Sequence, residues 1–296
     1  MPDFLGILVQ QALNGIVLGS LYVLVALGLT LVYGVLVQIN FAHADIVTLG
    51  AFVAYFATSW SGGGYALGIL AALAVGALLG WLVNAANFAP LRERGDELRP
   101  LIATIGVSVM MENAALAAFG PVPYAFETPF SRSVVRLGRV FLTEQSLLVI
   151  AVAGTAIALL YLFLRFTAIG KALRAVSQDR ETAGLMGINQ NRLIMLTFII
   201  ASGLAGLGGA MLGPILVLTP FAGASVIVKS FAIVSFGGFG NIEGTILAGL
   251  IVGLIESFTT QYLDPGLIDI VVFALLLLTL AVRPTGLIAE RREENV

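Results

Sequence analysis

Two long runs of the sequence contain no charged side chain, and they decide what kind of fold the chain can adopt. Phe4–Ala42 and Ile46–Leu91 each exceed the ~20 apolar residues that an α-helix needs to cross ~30 Å of hydrocarbon. Backbone N–H and C=O groups in lipid must be hydrogen-bonded within the segment, so both runs are predicted to be helical. The sequence therefore predicts an all-α membrane protein that crosses the bilayer several times.

The composition supports this interpretation. The chain is 59% hydrophobic and 11% charged with a mean hydropathy of +1.02, whereas soluble domains carry roughly 25% charged residues. Its net charge of -2 lies in loops, so we expect membrane lipid and no nucleic acid around it. Gly and Pro breaks and polar clusters predict one transmembrane domain over 1–296 with nine spans, within a range of eight to ten: 12–35, 44–60, 65–88, 101–119, 145–164, 193–214, 225–239, 242–260 and 267–282.

The basic residues predict the orientation. Eleven of the 15 Lys and Arg fall in three regions on one side of the nine-span arrangement: 88–100, 165–192 and the tail after 282. Three others, Arg132, Arg136 and Arg139, fall on the opposite side. Because basic loops remain in the cytoplasm, we expect a cytoplasmic C-terminus and an N-terminus on the outer side.

Polar residues in or beside the apolar spans are candidates for a translocation path or gate. An ionisable group at mid-membrane costs about 2.5–3.5 kcal/mol on insertion scales, so it is expected to face the interior of the bundle. Two alternatives to a role in the path stay open. Asn40 or Asp45 could cap a helix in a turn that faces the cytoplasm, and Glu112 and Glu256 could make structural hydrogen bonds. Lys229 is expected to pair or to extend toward the outer face. The candidates are Asn40, His43, Asp45, Glu112, Asn113 and Glu256.

Glycines at four-residue spacing predict close helix packing. Such pairs let helix backbones approach in lipid, where the hydrophobic effect does not drive helices together. The alternative is that glycines break helices around a path, and Gly203–Gly213 and Gly237–Gly240 are the segments where we consider it. The pairs are Gly15 and Gly19, Gly76 and Gly80, Gly209 and Gly213, and Gly249 and Gly253.

Sequence motifs for catalysis and nucleotide binding are absent. The chain has no G-x-x-x-x-G-K-[ST] motif and no H-E-x-x-H motif, and its single His has no second ligand at a metal-binding spacing. We therefore expect a subunit that is not an enzyme and has no cofactor or metal of its own. If ATP drives transport, another chain must bind it.

The segment 165–192 is the one long charged loop between apolar spans, and we expect it to dock a soluble partner. Within it, Glu181–Gly187 reads ETAGLMG, which resembles the E-A-A-x-x-x-G signature of ABC importer permeases. A short helix ending at Gly187 is predicted, since glycine accepts the left-handed backbone that ends a helix. The predicted coupling residues are Arg174, Asp179, Glu181, Ala183, Gly184 and Gly187.

Further blocks resemble the permeases of branched-chain amino acid ABC importers (Liv type), in order along nearly the whole chain. The resemblance departs at one position, where Ala44 precedes Asp45 and the family usually has glycine before the acid. The blocks are Asn14–Tyr22, Tyr33–Gly34, Ile39–His43, Gly170–Ala175, Phe236–Gly244 and Arg283–Leu287.

The resemblance implies a type II-like permease bundle in a bacterial inner membrane. It implies four partners: a second related permease, two cytoplasmic ATPase subunits that bind ATP, and a periplasmic substrate-binding protein. The substrate implied is a branched-chain or other hydrophobic amino acid. Urea or short amides are the alternative within this class. An ion-coupled secondary carrier built on Glu112, Lys229 and Glu256, or a passive scaffold subunit, is the alternative from another class.

Overall fold

A computed structural model describes residues 2–60, 64–92, 98–138, 140–283 and 285–288 of the chain. Four arginines of the charge count, Arg94, Arg139, Arg291 and Arg292, lie outside the described residues. The helices are α1 (Pro2–Leu36), α2 (His43–Trp60), α3 (Gly64–Val83), α4 (Ala89–Arg92), α5 (Leu98–Phe119), α6 (Glu144–Phe166), α7 (Ala168–Gln178), α8 (Arg180–Leu185), α9 (Gln190–Leu212), α10 (Ala222–Gly237), α11 (Ile242–Tyr262) and α12 (Ile268–Val282).

The predicted all-α membrane architecture is confirmed, and every one of the nine predicted spans falls on a helix. Six helical stretches of the described chain are long and apolar enough to cross a membrane: Phe4–Leu36, Gly64–Leu91, Leu98–Phe119, Glu144–Phe166, Gln190–Leu212 and Ile242–Tyr262. Helices α10 and α12 are apolar but shorter. A π-helical turn, Asn84–Phe88, joins α3 to α4.

Helix α1 is central to the bundle, packing against α6, α9, α10 and α11. Its contact with α11 depends on small residues. A Cβ atom at Gly253 would lie 2.3 Å from the backbone N of Gly19 and 2.4 Å from the O of Gly15, closer than any side chain tolerates. The close-packing prediction for these glycines is confirmed, and α3 and α9 pack in the same way through Gly76 and Gly206.

The two glycine segments considered as helix breaks differ. Gly203–Gly213 contains no break, because α9 runs continuously through it to Leu212, so of the two alternatives close packing is the one found there. At Gly237–Gly240 the chain does turn between α10 and α11, and Gly238 and Gly240 have φ values of 105° and 82°, which favour glycine.

Helix α2 begins inside the bundle. Nε2 of His43, its first residue, lies 3.1 Å from the backbone O of Val25. Val25 is eleven residues before the end of α1 at Leu36, which corresponds to roughly 16 Å along the helix axis. The connection 37–42 therefore leads back into the bundle, and α2 starts at its middle.

Helix α10 begins at a buried position as well. The backbone N–H of Gly223, in its first turn, donates to Oγ1 of Thr48 at 2.8 Å. A Cβ atom at Gly223 would lie 2.1 Å from the O of Ala44. The N-terminal turns of α2 and α10 therefore pack directly on one another, away from both ends of the bundle.

A short β-hairpin lies between α5 and α6. Strands β1 (Val134–Leu137) and β2 (Val140–Thr143) pair antiparallel around Gly138, whose φ is 65°. We did not predict these strands. The signal was present in the β-branched and aromatic residues on both sides of that glycine.

Candidate functional site

The segment at the start of α2 holds three of the candidate path residues, and all three are buried. Asn40, His43 and Asp45 are 1%, 0% and 7% exposed. This burial does not fit a turn that faces the cytoplasm. Both side-chain polar atoms of Asn40 lack a hydrogen-bond partner, although such groups are usually satisfied.

Asp45 connects α2 to α5. Its Oδ2 accepts a hydrogen bond of 2.5 Å from Oγ of Ser108. Glu112 is half-buried and lies four residues, about one helical turn, beyond Ser108 on the same side of α5. The backbone N–H of Phe41 also donates to Thr104 of α5 at 3.4 Å. The structure therefore brings Asp45 and Glu112 together on two helices.

Asn113 does not share this position. It is exposed, and its amide donates to the O of Val109 in its own helix at 2.7 Å. The two neighbours on α5 point in different directions, because successive residues of a helix are about 100° apart. Much of the outer face of α5 is apolar and exposed, including Ile102 and Met110.

Glu256 has an oppositely charged partner. Its Oε1 lies 2.7 Å from Nζ of Lys229, and both side chains are nearly buried. The same ammonium donates to the hydroxyl of Tyr22 at 3.2 Å and lies 5.3 Å from the centre of its ring. This cluster joins α1, α10 and α11. Of the two outcomes we considered for Lys229, the pairing is the one found.

The loop predicted to dock a partner folds into α7 and α8. Asp179 begins α8 as its N-cap: Oδ1 accepts from the backbone N–H of Thr182 at 3.1 Å, and Oδ2 accepts from the Thr182 hydroxyl at 2.5 Å. These hydrogen bonds hold the pKa of the Asp179 carboxyl below its ordinary value. Glu181 is exposed on the first turn.

The end of α8 matches the predicted turn. Gly187 follows the helix with a φ of 81°, and the N–H of Ile188 donates to the O of Ala183 at 3.2 Å, which closes the last turn. Ala183 is buried, and a Cβ atom at Gly184 would lie 2.7 Å from Nε2 of Gln190. These small residues therefore pack within the loop.

Sequence reasoning missed two exposed apolar side chains of this loop and the contact that Arg180 makes with α1. Leu185 and Met186 are 88% and 79% exposed at the tip of α8. Arg180 donates from Nε to the O of Val35, in the last turn of α1, at 3.0 Å. Arg174 donates to the O of Leu164 at the end of α6. An apolar pair directly after a helix in an otherwise polar loop was the available signal.

Metal ligands do not cluster in the described part of the chain: no three His, Cys, Asp or Glu side chains lie together there. The candidate residues that the structure brings into contact are joined by hydrogen bonds and one ion pair between helices. The candidate site consists of a protruding α8, an anchor on α1, and a buried turn where α1 leads into α2.

A sequence profile of the family described as branched-chain amino acid transport system / permease component matches residues 11–280. The chain belongs to this family. It is 33% identical over 302 residues to the high-affinity branched-chain amino acid transport system permease protein LivH of Salmonella typhimurium, covering 97% of each chain. The Escherichia coli LivH has the same identity and coverage.

BraD of Pseudomonas aeruginosa, also described as a high-affinity branched-chain amino acid transport system permease protein, is 33% identical over 309 residues, with both chains covered completely. No solved structure matches the chain. As a member of this permease family, the chain is a non-catalytic, multi-pass membrane subunit of a transporter complex. The resemblance described from its sequence blocks is confirmed.

Proposed function

We propose that the chain is the inner-membrane permease subunit of an ATP-driven importer for branched-chain or other hydrophobic amino acids. Its partners would be a second related permease, two cytoplasmic ATPase subunits that bind ATP, and a periplasmic substrate-binding protein. The family and the full-length relatives support the substrate class. One observation supports ATP coupling above all: Leu185 and Met186 at the end of α8 are exposed, while Arg180 attaches the same helix to α1.

The contacts suggest how motion at α8 would reach the bundle interior. A shift of α8 acts on the backbone of Val35 through Arg180. Val35 lies in the last turn of α1, and the connection 37–42 leads directly from there to the buried start of α2. An ATPase that binds α8 differently in its open and closed states can therefore bias the position of α2.

The path is proposed to run where α2 and α5 meet. Asp45, Ser108 and Glu112 lie there, and α5 leaves an apolar face uncovered that a second permease would cover. The two carboxylates suit the ammonium group of an amino acid, whereas urea and simple amides are neutral. Glu256 is already paired with Lys229, so it offers little to an ion-coupled carrier.

The first experiment measures uptake into proteoliposomes that hold this chain with its partner permease, ATPases and binding protein. Radiolabelled leucine, isoleucine and valine are compared with urea and a short amide. We expect ATP-dependent uptake of the three amino acids. Uptake of urea or amide alone would contradict the substrate class, and uptake driven by an ion gradient without ATP would contradict the importer.

A second experiment tests α8. Leu185→Asp is expected to leave the chain folded, because the side chain is 88% exposed, but to abolish co-purification of the ATPases and ATP-driven uptake. Val122→Asp is the matched control, an equally drastic change at an exposed apolar residue outside the loop. If the Leu185→Asp variant still co-purified with the ATPases and still supported ATP-driven uptake, α8 would not be the docking element.

The orientation is tested with single cysteines, because the chain has none of its own. Met186→Cys and Val122→Cys are treated with a membrane-impermeant maleimide in intact spheroplasts. We expect labelling at 122 without lysis and labelling at 186 only after lysis. The reverse pattern would place α8 outside the cytoplasm.

A further inference from the structure

A cavity of about 590 Å³ lies at the end of the bundle where α7 packs. Its walls come from α1, α6, α7, α9 and the first turn of α11. The transport mechanism proposed above involves one of its lining residues, Val35, through the backbone carbonyl that accepts from Arg180, but it gives the cavity itself no role. It differs in position from the meeting of α2 and α5, because none of its lining residues belongs to either helix.

The deep part of the cavity is lined mainly by apolar side chains, and its hydroxyl groups are already hydrogen-bonded. Leu31, Leu160 and Ile200 line it, and Leu160 is six residues before the end of α6, a depth of roughly 9 Å. The deep polar groups are already satisfied. Thr30 and Thr245 share a hydrogen bond of 2.8 Å, and the Thr197 hydroxyl donates to the O of Leu193 at 2.9 Å.

The mouth is charged. Arg165 and Arg174 line it together with Glu243, so the net charge of the three is positive. Arg165 lies against aromatic rings, with its guanidinium carbon 5.6 Å from the centre of Tyr161, and Arg174 donates to a backbone carbonyl. Within the described chain neither arginine has a carboxylate partner, so both retain donors for an anion.

This distribution of polarity fits an amphiphile. A mostly apolar interior without a charged side chain would leave the charges of a free amino acid uncompensated. A lipid matches both the mouth and the interior of the cavity, because its anionic headgroup can bind the two arginines while an acyl chain lies along the apolar wall. On α6, Leu159 and Leu162 are 62% and 50% exposed, an apolar surface that suits contact with acyl chains, and basic pockets between spans at the membrane surface bind lipid headgroups.

We propose that this cavity is a binding site for an anionic phospholipid. The phosphate lies between Arg165 and Arg174, and an acyl chain lies along Leu160 and Leu164 toward Ile200. Tyr161 lies at the level of the headgroup, where aromatic residues are common in membrane proteins. The site does not depend on the transported substrate or on the orientation of the chain.

Native mass spectrometry of the full chain, purified in detergent and stripped of lipid, tests this site. Phosphatidylglycerol, phosphatidylcholine and inorganic phosphate are titrated separately. We expect tight retention of phosphatidylglycerol, weak retention of phosphatidylcholine, and no retention of phosphate. Equal retention of the two lipids would overturn the headgroup assignment, and retention of inorganic phosphate with no retention of either lipid would replace the lipid by a free anion.

Variants locate the bound lipid. Arg165→Gln is expected to weaken phosphatidylglycerol retention about fivefold, the effect of losing one basic residue beside an anionic lipid. Arg192→Gln is the matched control, because Arg192 is an exposed arginine of the same loop that does not line the cavity. Ile200→Trp fills the apolar end and is expected to reduce retention of both lipids.

The folded state of each variant is checked by its elution profile in detergent. If Arg165→Gln does not fold, Arg165→Lys retains the charge but loses the planar donor group, and it is expected to give an intermediate affinity. The proposed site would be overturned if Arg165→Gln and Arg192→Gln retained phosphatidylglycerol equally well. It would also be overturned if Ile200→Trp retained both lipids as well as the wild type does.

Discussion

Two buried carboxylates in this permease have opposite surroundings. Glu256 lies 2.7 Å from the ammonium of Lys229, so its charge is neutralised between three helices. Asp45 has a hydroxyl partner, Ser108, and a second acid, Glu112, nearby. The two residues are buried to the same degree: Glu256 is 8% exposed and Asp45 is 7% exposed. The partner therefore distinguishes a carboxylate that is neutralised by an ammonium group from one that is held by a hydroxyl alone.

The largest expected effect is on stability, at the ion pair. Glu256→Gln leaves the ammonium of Lys229 buried without its counter-charge, and breaking a buried pair costs about 3–5 kcal/mol. We expect a large loss of thermal stability, measured by fluorescence in detergent. The double variant Lys229→Met with Glu256→Leu removes both charges and should recover most of it. If Glu256→Gln were as stable as the wild type, the pair would not hold α10 to α11.

For Asp45→Asn we expect the main effect on transport and little effect on thermal stability. The amide has nearly the same shape and can still accept the hydrogen bond from Ser108, so thermal stability should change little. ATP-driven leucine uptake should fall on the order of tenfold, equivalent to about 1.4 kcal/mol, because a negative charge on the path is lost. Ser108→Ala is the control that removes the hydrogen bond and keeps the charge. Unchanged uptake would remove Asp45 from the path.

The neighbours Glu112 and Asn113 sharpen the comparison within one helix. Glu112 lies one turn beyond Ser108, the hydrogen-bond partner of Asp45, whereas Asn113 is exposed and donates to Val109 of its own helix. We expect Glu112→Gln to reduce leucine uptake less than Asp45→Asn does, because Glu112 is only half-buried. Asn113→Ala should leave the rate unchanged. A stronger effect at Asn113 would instead place the path on the outer face of α5.

Sequence reasoning identified the helices, since uncharged runs of this length allow little else. It also identified α8, whose capping aspartate and terminal glycine are local signals. It could not identify the partner of Glu256, because Lys229 is 27 residues away and meets it only through the packing of α10 on α11. The buried start of α2 was missed for the same reason: six residues of connection do not reveal whether the chain leaves the membrane or turns back.

Asp179 provides the third and mildest case, a carboxylate with donors like those of Asp45 but fully in water. Its hydrogen bonds from Thr182 hold its pKa below the ordinary value of 3.8. The stabilisation of α8 is therefore complete above that value and is lost as the pH falls through the lowered pKa. Protection of the Thr182 amide, corrected for intrinsic exchange, should be constant from neutral pH down to the ordinary pKa and should decline in stronger acid.

Substitutions at Asp179 separate the cap from the charge. Asp179→Ala removes the acceptor for the first turn of α8, so it should fray the helix at neutral pH and slightly lower ATP-coupled uptake. Asp179→Asn retains an acceptor oxygen and should behave nearly like the wild type without the acid transition. Equal loss in both variants would mean that the charge itself contacts a partner. Asp179 would then resemble Asp45. Both are carboxylates that accept hydrogen bonds within the chain, and in both the charge would act on a group outside the chain.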